Sequence, residues 1–441
     1  MKALSIVSCK LSAFLLKFIG RGSSLPGTIA LKLDKNILKK LTLPQKIIVV
    51  TGSSGKGSTT KIIANVLKDL NYKVSHNYQG GNETSGILTT LLKDSNLKGK
   101  VKTDVAVLEM DERYVKYILP IIKPSDVVIT NITRDQPPRQ QHTDFIYNEI
   151  KKGLTNDIHL YLNANDPILV KLANELNTKV TYYAINKLKE SYQKNIFTSL
   201  NNRRCPKCHH LLKYKYYHFE DIGNYSCPTC DFKMPNPHYK ITAFNDKDKQ
   251  ITIDNDTFIT LNNDMLYNLY NTLAAYSVLR EYNLAKEKIA LSISKQNKNK
   301  KIFNTYSYKN HNVYILNNKC ENSTTYNQSL LYTLKNKNVK TIVLGWQEIS
   351  RRYIWDELSW LYDVEFELLT TQKIEKIIVA GPQRYDLAVR LKYAGINEEK
   401  IKIYDNLYSA KKELKTTNSD IYAILNFDYI NDFNTVMEDL K

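Results

Sequence analysis

The sequence predicts an α/β protein with two domains, each built on a mostly parallel sheet, and a small insertion in the first domain. Three observations support this prediction. Buried-strand patterns alternate with helical patterns from residue 46 onward, a Gly/Ser-rich loop joins the first strand to its helix, and four cysteines cluster near the middle of the chain. Alternating strands and helices are typical of doubly wound parallel sheets, and 441 residues are enough for two or three domains.

The composition is that of a globular protein with a basic excess. Hydrophobic residues make up 42% and charged residues 24%, which excludes a mostly disordered chain. The net charge of +19 raises nucleic acid, a membrane surface or an anionic substrate as partners. Because only 11 of the 63 basic residues are Arg, a bias toward Lys explains part of this charge. Few cysteines and no apolar run long enough to span a membrane predict a cytoplasmic protein.

Residues 1–45 are interpreted as a helical lead-in to the first domain. Apolar residues recur there at helical spacing and predict an amphipathic helix. These residues are Leu4, Leu11, Phe14, Leu15 and Phe18. We expect this helix to pack on the body of the protein, with a membrane surface as the alternative. A break at Leu25-Pro26-Gly27 and a short helix over about residues 28–41 complete the segment.

The first domain is expected over residues 46–297 and the second, smaller α/β domain over residues 298–441. Strands are predicted at 46–50, 105–108, 126–130, 160–162, 341–344 and 376–380. Helices are predicted at 61–70, 266–282 and 285–294. The Lys/Asn-rich stretch 295–301 is interpreted as a linker.

The loop Thr51-Gly-Ser-Ser-Gly-Lys-Gly-Ser-Thr-Thr60 predicts ATP binding. It lies between a strand and a helix, where backbone amides and the helix N-terminus favour phosphate. Lys56 can reach the outer phosphates, and the hydroxyl of Ser58 or Thr59 can bind Mg²⁺. The loop is shorter than the G-x-x-x-x-G-K-[ST] form, and a generic turn is the alternative. The candidate nucleotide-binding residues are Gly52, Ser53, Ser54, Gly55, Lys56, Gly57, Ser58 and Thr59.

Acidic residues follow the second predicted strand of this domain. Glu109 ends that strand, and a carboxylate there, close to a phosphate loop, can bind Mg²⁺ together with Ser58. Asp111 and Glu112 come directly after it. A solvated loop is the alternative interpretation of all three acids.

Three amides are further candidates for nucleotide or substrate binding. Asn82 lies in the Gly-rich segment Gln79-Gly-Gly-Asn-Glu83. Asn268 and Asn271 lie three residues apart near the start of a predicted helix, and amides offer the donor and acceptor that an adenine edge requires. Helix capping is the alternative for Asn268.

Two C-x-x-C pairs predict a structural zinc ribbon inserted over residues 201–240. Their spacing fits a site with four thiolate ligands and no open position. The candidate ligands are Cys205, Cys208, Cys227 and Cys230. A redox dithiol pair and a nucleic-acid-binding ribbon are the alternatives. We expect His209, His210 and His218 to be exposed polar residues rather than ligands.

The chain resembles the MurT family, the Mur-ligase-like subunits of lipid II isoglutaminyl synthase. The matching segments run nearly from end to end of the chain. They are Leu25 to Ile29, the phosphate loop, His76-Asn77 with Gly80 to Asn82, Glu109 to Glu112, Thr130-Asn131 with Arg134 to Gln136, Leu162 to Pro167, the cysteine ribbon, Asn268 to Ala275 and Leu358 to Glu367. Folylpolyglutamate synthases, which share the shortened loop, lack the ribbon and the last segment. They remain the alternative ligase class.

The resemblance implies a Mur-ligase-like fold and an ATP-dependent reaction at the inner face of the cell membrane. ATP, with Mg²⁺ bound and Lys56 as a catalytic residue, would phosphorylate the α-carboxylate of D-glutamate in the lipid II stem peptide. Ammonia would then displace phosphate to give D-isoglutamine. Nucleic acid would have no part in this function.

The resemblance also implies a separate GatD-like glutaminase subunit, forming a heterodimer through the C-terminal domain. Outside the ribbon only Cys9 and Cys320 remain, and both are interpreted as ordinary thiols. In the family, an acid before a Ser-Trp pair completes the Cys–His dyad of the partner. Asp356 or Glu357 occupies that place, with Asp356 favoured after a one-residue shift. Surface charge is the alternative role for both.

Overall fold

The computed structural model describes residues 1–16, 22–133, 142–197, 204–298, 305–318, 323–347 and 358–440. These residues form two compact units, the first made of most residues up to 300 and the second built mainly from residues 301–441. The expected functional acids Asp356 and Glu357, the segment Arg134 to Gln136, and Cys320 lie outside the described residues.

The first unit contains a nine-stranded sheet with helices on both faces. Its helices are α1 (Lys2–Leu16), α2 (Leu25–Leu33), α3 (Lys56–Asp69), α4 (Thr84–Asp94), α5 (Val115–Ile122), α6 (Thr143–Lys151), α7 (Pro167–Glu175), α8 (Leu266–Glu281) and α9 (Lys286–Lys298). Its strands are β1 (Lys46–Thr51), β2 (Val74–His76), β3 (Val105–Glu109), β4 (Asp126–Ile129), β5 (His159–Asn163), β6 (Val180–Ile185), β7 (Lys213–Phe219), β8 (Ile222–Ser226), β9 (Tyr239–Asn245), β10 (Gln250–Ile253) and β11 (Thr257–Thr260).

The strand order of this sheet is β11-β10-β9-β6-β5-β4-β1-β3-β2. Strands β1 to β6 and β9 pair in parallel, while β10 and β11 extend the edge as antiparallel strands. Strands β7 and β8 form a separate antiparallel hairpin within the cysteine ribbon. Because β1 lies between β4 and β3, the loops after these three strands meet at one edge of the sheet.

Strand β1 is buried on both faces, which explains its continuous apolar run. Ile47 and Val49 pack in the core with residues of α1, α2 and α4 to α7. Ile48 and Val50 pack in the opposite core with residues of α3, α8 and α9. The predicted doubly wound architecture is confirmed in this unit.

The predicted elements differ from the observed ones mainly at their ends. The helix after the phosphate loop begins at Lys56 rather than at residue 61. The helix predicted over 28–41 is wrong as one element, since α2 ends at Leu33 and a separate 3₁₀ turn follows at Ile37–Lys40. The break predicted at Leu25-Pro26-Gly27 is also wrong, because these residues form the first turn of α2, where proline is tolerated. Asp34 ends α2 in an extended conformation, and its carboxylate accepts hydrogen bonds from Asn36 N at 3.1 Å and Lys40 Nζ at 2.6 Å. The linker predicted over 295–301 is helical through Lys298.

The N-terminal helix is confirmed, but the face expected to pack on the body is wrong. Ile6, Cys9 and Ala13 face the first unit and are buried. Four apolar positions of the predicted stripe are instead exposed, namely Leu4, Leu11, Phe14 and Leu15. The fifth, Phe18, lies outside the described residues. Helix α1 is therefore apolar on both sides, and the side that carries Ile6, Cys9 and Ala13 forms the buried contact.

The second unit contains a six-stranded sheet in the order β12-β13-β17-β14-β15-β16. Its strands are β12 (Thr305–Tyr308), β13 (His311–Asn318), β14 (Lys340–Gly345), β15 (Ile374–Ala380), β16 (Ile401–Tyr404) and β17 (Asp420–Asn426), and its helices are α10 (Ser323–Thr333), α11 (Arg384–Tyr393), α12 (Lys411–Lys415) and α13 (Ile430–Glu438). All neighbouring strands pair in parallel except β12 and β13. The strands predicted at 341–344 and 376–380 are confirmed as β14 and β15.

Candidate nucleotide-binding site and metal centre

The phosphate loop adopts a conformation that requires glycine at two positions. Gly52 has φ +120° and Gly55 has φ +82°, values that residues with a Cβ rarely adopt. A Cβ at Gly52 would lie 2.4 Å from Thr130 Oγ1, and one at Gly55 would lie 2.3 Å from Asn271 Oδ1. The loop is thus closely packed, with Thr130 and Asn271 against its two glycines.

The loop is held from its other side by the residues that follow β4. Ser54 N donates to Asn131 Oδ1 at 3.0 Å, and Asn131 Nδ2 donates back to Ser54 O at 3.1 Å. Thr130 Oγ1 also donates to Ser54 O, at 2.6 Å. Our site prediction did not include Thr130 and Asn131, although the pair directly follows a buried strand. These bonds fix the backbone of the loop at Ser54.

Lys56 forms a buried ion pair at the start of α3. Its Nζ lies 2.9 Å from Glu112 Oε1, and the side chains of Lys56 and Glu112 are 12% and 4% exposed. The ammonium also donates to Gly52 O and Ser53 O. Burial opposes the charged form of Lys56, but the neighbouring carboxylate of Glu112 outweighs it, so the pKa is raised above its ordinary value.

The interpretation of the acids after β3 as a solvated loop is wrong. Asp111 and Glu112 are 6% and 3% exposed. Asp111 accepts hydrogen bonds from the guanidinium of Arg113 at 2.9 and 2.8 Å, and burial of its carboxyl is outweighed by this cation, so its pKa is lowered. The sheet order, which brings the loop after β3 beside the phosphate loop, explains why both acids are buried.

Glu109 and Asn82 are brought together beside the phosphate loop. Asn82 Nδ2 donates to Glu109 Oε1 at 3.1 Å, and a Cβ at Gly57 would lie 2.9 Å from Glu109 Oε2. Asn77 joins the two segments, since it accepts from Glu109 N at 2.9 Å and donates to Gly81 O at 2.8 Å. A carboxylate thus lies against the N-terminus of α3, where Gly57 gives it room.

The donor set around this carboxylate fits a hard divalent cation. Ser58 is exposed next to the loop, and Thr59 is fully buried, with an Oγ1 that makes no hydrogen bond within the described structure. Oxygen ligands of this kind are those that Mg²⁺ prefers. Glu109, Ser58 and Thr59 are therefore the residues that could hold it.

The two asparagines of α8 have different surroundings. The helix begins at Leu266 with Met265 as its N-cap, so Asn268 is not the capping residue. Asn268 Nδ2 instead donates to Asn262 Oδ1 at 3.0 Å and Asn263 O at 3.2 Å. Asn271, one turn on, contacts Gly55, so it is Asn271 that the structure brings directly to the phosphate loop.

Asn165 joins the ribbon to the helix that carries Asn271. Its side chain is fully buried, and Oδ1 accepts from Ile185 N at 2.7 Å and from the hydroxyl of Tyr270 at 3.0 Å. Nδ2 donates to Gly223 O in β8 at 3.1 Å. One amide therefore connects the ribbon hairpin, the sheet and α8.

The four ribbon cysteines converge as predicted. Their Sγ atoms all lie within 4.8 Å of one another, with Cys208 and Cys227 at 3.4 Å and Cys205 and Cys230 at 3.5 Å. Burial opposes ionisation of Cys227, but the backbone amides of Thr229 and Cys230 outweigh it and lower the pKa of the thiol to about 6. Among the described residues the cluster consists of these four sulfurs alone, a donor set that fits a structural zinc ion.

The histidines near the ribbon do not join the cluster. His209 and His210 are exposed, as expected. The expectation for His218 is wrong, because its side chain is 4% exposed. Its Nδ1 lies 3.0 Å from Ser191 Oγ, and its Nε2 lies 2.9 Å from Ile185 O.

Cys9 is buried and its thiol pKa is raised to about 12, chiefly by burial, which makes it a poor nucleophile.

In the second unit, the segment after Asp356 and Glu357 is firmly packed. Trp360 is 1% exposed and packs on Tyr326 and Trp346, with ring centroids at 5.2 and 5.4 Å. Arg390 donates to Leu361 O at 3.0 Å and to Val364 O at 2.8 Å.

In the described part of the chain, no helix combines the length and apolar character needed to cross a membrane.

Comparison with known proteins identifies the relatives of this chain. A model of the Mur ligase middle domain matches residues 50–222, and a model of the MurT ligase C-terminal domain matches residues 320–429. The chain is 33% identical over 419 residues to the lipid II isoglutaminyl synthase (glutamine-hydrolyzing) subunit MurT of Staphylococcus aureus strain COL, covering 92% of this chain and 91% of that one. Identity to the subunit of the same name from Streptococcus pneumoniae strain R6 is 29% over 429 residues, with 93% and 91% covered.

Among solved structures, a pseudomurein peptide ligase type C from Methanothermus fervidus has a TM-score of 0.69 at 22% identity, covering 92% of this chain and 81% of that one. The fold and the phosphate loop define a Mur-ligase-type protein, a class whose members use ATP. Within that class, the identity over nine-tenths of the chain and the C-terminal match decide the family. The chain belongs to the MurT family, which confirms the resemblance.

Proposed function

We propose that this chain is the ligase subunit of a glutamine-dependent enzyme that amidates lipid II in peptidoglycan synthesis, on the cytoplasmic side of the membrane. The α-carboxylate of the D-glutamate in the stem peptide is phosphorylated by ATP. Ammonia then attacks the acyl carbon, and phosphate leaves with the electrons of the broken C–O bond. The product is D-isoglutamine. Membership of the MurT family supports the substrate, and the cradle around Lys56 supports the chemistry.

Lys56 has the central role in phosphoryl transfer. It is fixed by Glu112 and by the loop carbonyls of Gly52 and Ser53, so its ammonium is positioned to stabilise charge that develops on the transferred phosphoryl group. The single observation that supports this role best is the buried Lys56–Glu112 pair, which lies within a loop that favours glycine at positions 52 and 55.

Other residues of the predicted site have supporting roles in this proposal. Glu109 with Ser58 or Thr59 would hold Mg²⁺, which when bound neutralises phosphate charge. Asn271 lies against the loop and would contact the nucleotide, while Asn82 orients the Glu109 carboxylate. Asn268 would act by holding the segment before α8. Cys205, Cys208, Cys227 and Cys230 would bind structural Zn²⁺.

Ammonia is proposed to come from a separate GatD-like glutaminase that forms a heterodimer with this chain through the second unit. Asp356 or Glu357 would orient and charge-stabilise the histidine of the partner's Cys–His dyad. The residues that follow these acids in the chain are well packed, since Trp360 lies among aromatic rings and Arg390 donates to the carbonyls of Leu361 and Val364. Replacement of the functional acid by its amide should silence glutamine hydrolysis while ATP binding persists.

Reconstitution tests the proposed reaction. The full chain, the glutaminase, ATP, glutamine and lipid II should yield amidated lipid II by mass spectrometry, and ammonium chloride should replace glutamine and partner together. Activity on a folate substrate without amidation would favour the folylpolyglutamate alternative. Salt-sensitive nucleic-acid binding that is unaffected by Lys56→Ala would favour the ribbon-based alternative.

A further inference from the structure

The N-terminal helix presents an apolar stripe that the first unit does not cover. Leu4, Val7, Leu11 and Leu15 are 53%, 45%, 58% and 57% exposed. At 3.6 residues per turn these positions lie within an arc of about 100° along one side of the helix. Four large aliphatic side chains in one row are more than the scattered exposure that a protein surface normally shows.

The opposite side of the helix already holds α1 in place. Ile6 and Cys9 are fully buried in the core of the first unit. Lys10 Nζ donates to Lys93 O in α4 at 2.8 Å, which fixes the helix along its flank. The stripe is therefore a rigid, presented surface, and the helix does not need it in order to fold against the unit.

The charge around this helix is strongly basic. The first 46 residues contain eight Lys and one Arg against a single acid. That acid, Asp34, is paired with Lys40 at 2.6 Å. Neither α1 nor α2 contains an acidic residue. The first 46 residues thus supply eight of the nineteen net positive charges of the chain.

We propose that the stripe of α1 docks the protein on an anionic lipid bilayer. A helix with one apolar row and basic flanks lies in the plane of the interface, with its apolar side chains among the lipid chains and its lysines at the anionic headgroups. The inference rests on the proposed function in one respect, since a lipid-linked substrate is presented at such a surface. Because α4, to which Lys10 of α1 is hydrogen-bonded, begins two residues after Asn82, docking would bring the candidate site of the same unit close to the bilayer.

Vesicle flotation with the full chain tests this proposal. Vesicles of phosphatidylglycerol and phosphatidylcholine, without lipid II, should bind the wild type, and added salt or pure phosphatidylcholine should weaken binding. The double variant Val7→Asp with Leu11→Asp should bind at least about tenfold more weakly than the wild type, since it removes two aliphatic anchors and adds two negative charges. Leu291→Asp is the matched control, because Leu291 is 72% exposed on α9, and it should bind like the wild type.

The outcome is independent of the proposed reaction because these vesicles contain no substrate. Amidation of detergent-dispersed lipid II should be equal in the wild type and the double variant, so a failure of docking is distinguishable from a failure of catalysis. The proposal is overturned if the wild type does not float, or if the double variant floats equally well. The proposal is also overturned if the stripe instead mediates self-association or binding of the glutaminase. In either case light scattering would show a smaller complex for the double variant than for the wild type.

Discussion

Lys56 Nζ and Glu112 Oε1 lie 2.9 Å apart, and both side chains are largely buried. A buried pair of this kind makes each partner depend on the other, because removing one leaves an uncompensated charge. The relationship also determines how the phosphate-loop lysine should be tested, since loss of activity and loss of folding could otherwise be confused.

We expect Lys56→Ala to lower the free energy of unfolding by about 3–5 kcal/mol, because Glu112 is left buried and unpaired. Adding Glu112→Gln to Lys56→Ala should recover a large part of that loss, while amidation stays absent in both. Denaturant unfolding monitored by fluorescence measures the first effect, and mass spectrometry of lipid II measures the second. Full activity in the double variant would remove Lys56 from the catalytic machinery.

This pair also shows where the sequence was sufficient for prediction and where it was not. The strand, the glycines and Lys56 lie within one short segment, so their local pattern was enough to predict the loop. Glu112 is 56 residues away from Lys56, and Asn131 is 77 residues away from Ser54. Their contacts follow from the order β4-β1-β3, which no local pattern specifies.

The cysteine ribbon and the N-terminal helix show the same difference between what a local sequence pattern predicts and what only the folded structure shows. The spacing of the cysteines determines their convergence because each pair lies on one tight turn. In α1 the leucines and phenylalanines gave the stronger periodic signal, yet Ile6, Cys9 and Ala13 form the buried contact. Periodicity identified the helix correctly, but it could not show which of its two apolar sides packs against the rest of the first unit.

The Tyr270 hydroxyl should couple the ribbon to the nucleotide site. It donates to Asn165 Oδ1 at 3.0 Å, and Tyr270 directly precedes Asn271, which contacts the phosphate loop. Tyr270→Phe should cost about 1 kcal/mol of stability and raise the KM for ATP several-fold with a smaller change in kcat. Tyr276→Phe, on the same helix with its hydroxyl 3.5 Å from Thr257 Oγ1, is the control and should leave the KM unchanged. Equal effects in both variants would contradict the coupling.

Metal removal should destabilise the first unit before it affects the chemistry. Four thiolates leave no coordination position open for a substrate, so the ion acts on folding. Elemental analysis should find one zinc per chain, and Cys208→Ser or Cys227→Ser should lose it and unfold at a lower temperature. Cys9→Ala should keep the metal, since Cys9 lies outside the cluster. Retained zinc in the two ribbon variants would contradict the four-sulfur site.

His218 should make the stability of the first unit sensitive to mildly acidic pH. Burial lowers its pKa to about 4, only partly opposed by the hydrogen bond to Ile185 O. The ordinary value in an unfolded chain is about 6.5. The unfolded state therefore binds the proton first, and the stability present above pH 6.5 falls as the pH drops toward 4, by up to about 3 kcal/mol.

Urea unfolding at several pH values between 7 and 4.5 checks this expectation. His218→Gln should be less stable than the wild type at pH 7, because its amide replaces a well-fitted imidazole. The difference between the two should shrink as the pH falls, since only the wild type loses stability by protonation of this side chain. His210→Gln is the control, because His210 is exposed, and its difference from the wild type should not change with pH. A pH-independent gap between wild type and His218→Gln would show that the imidazole is accommodated equally well in both protonation states.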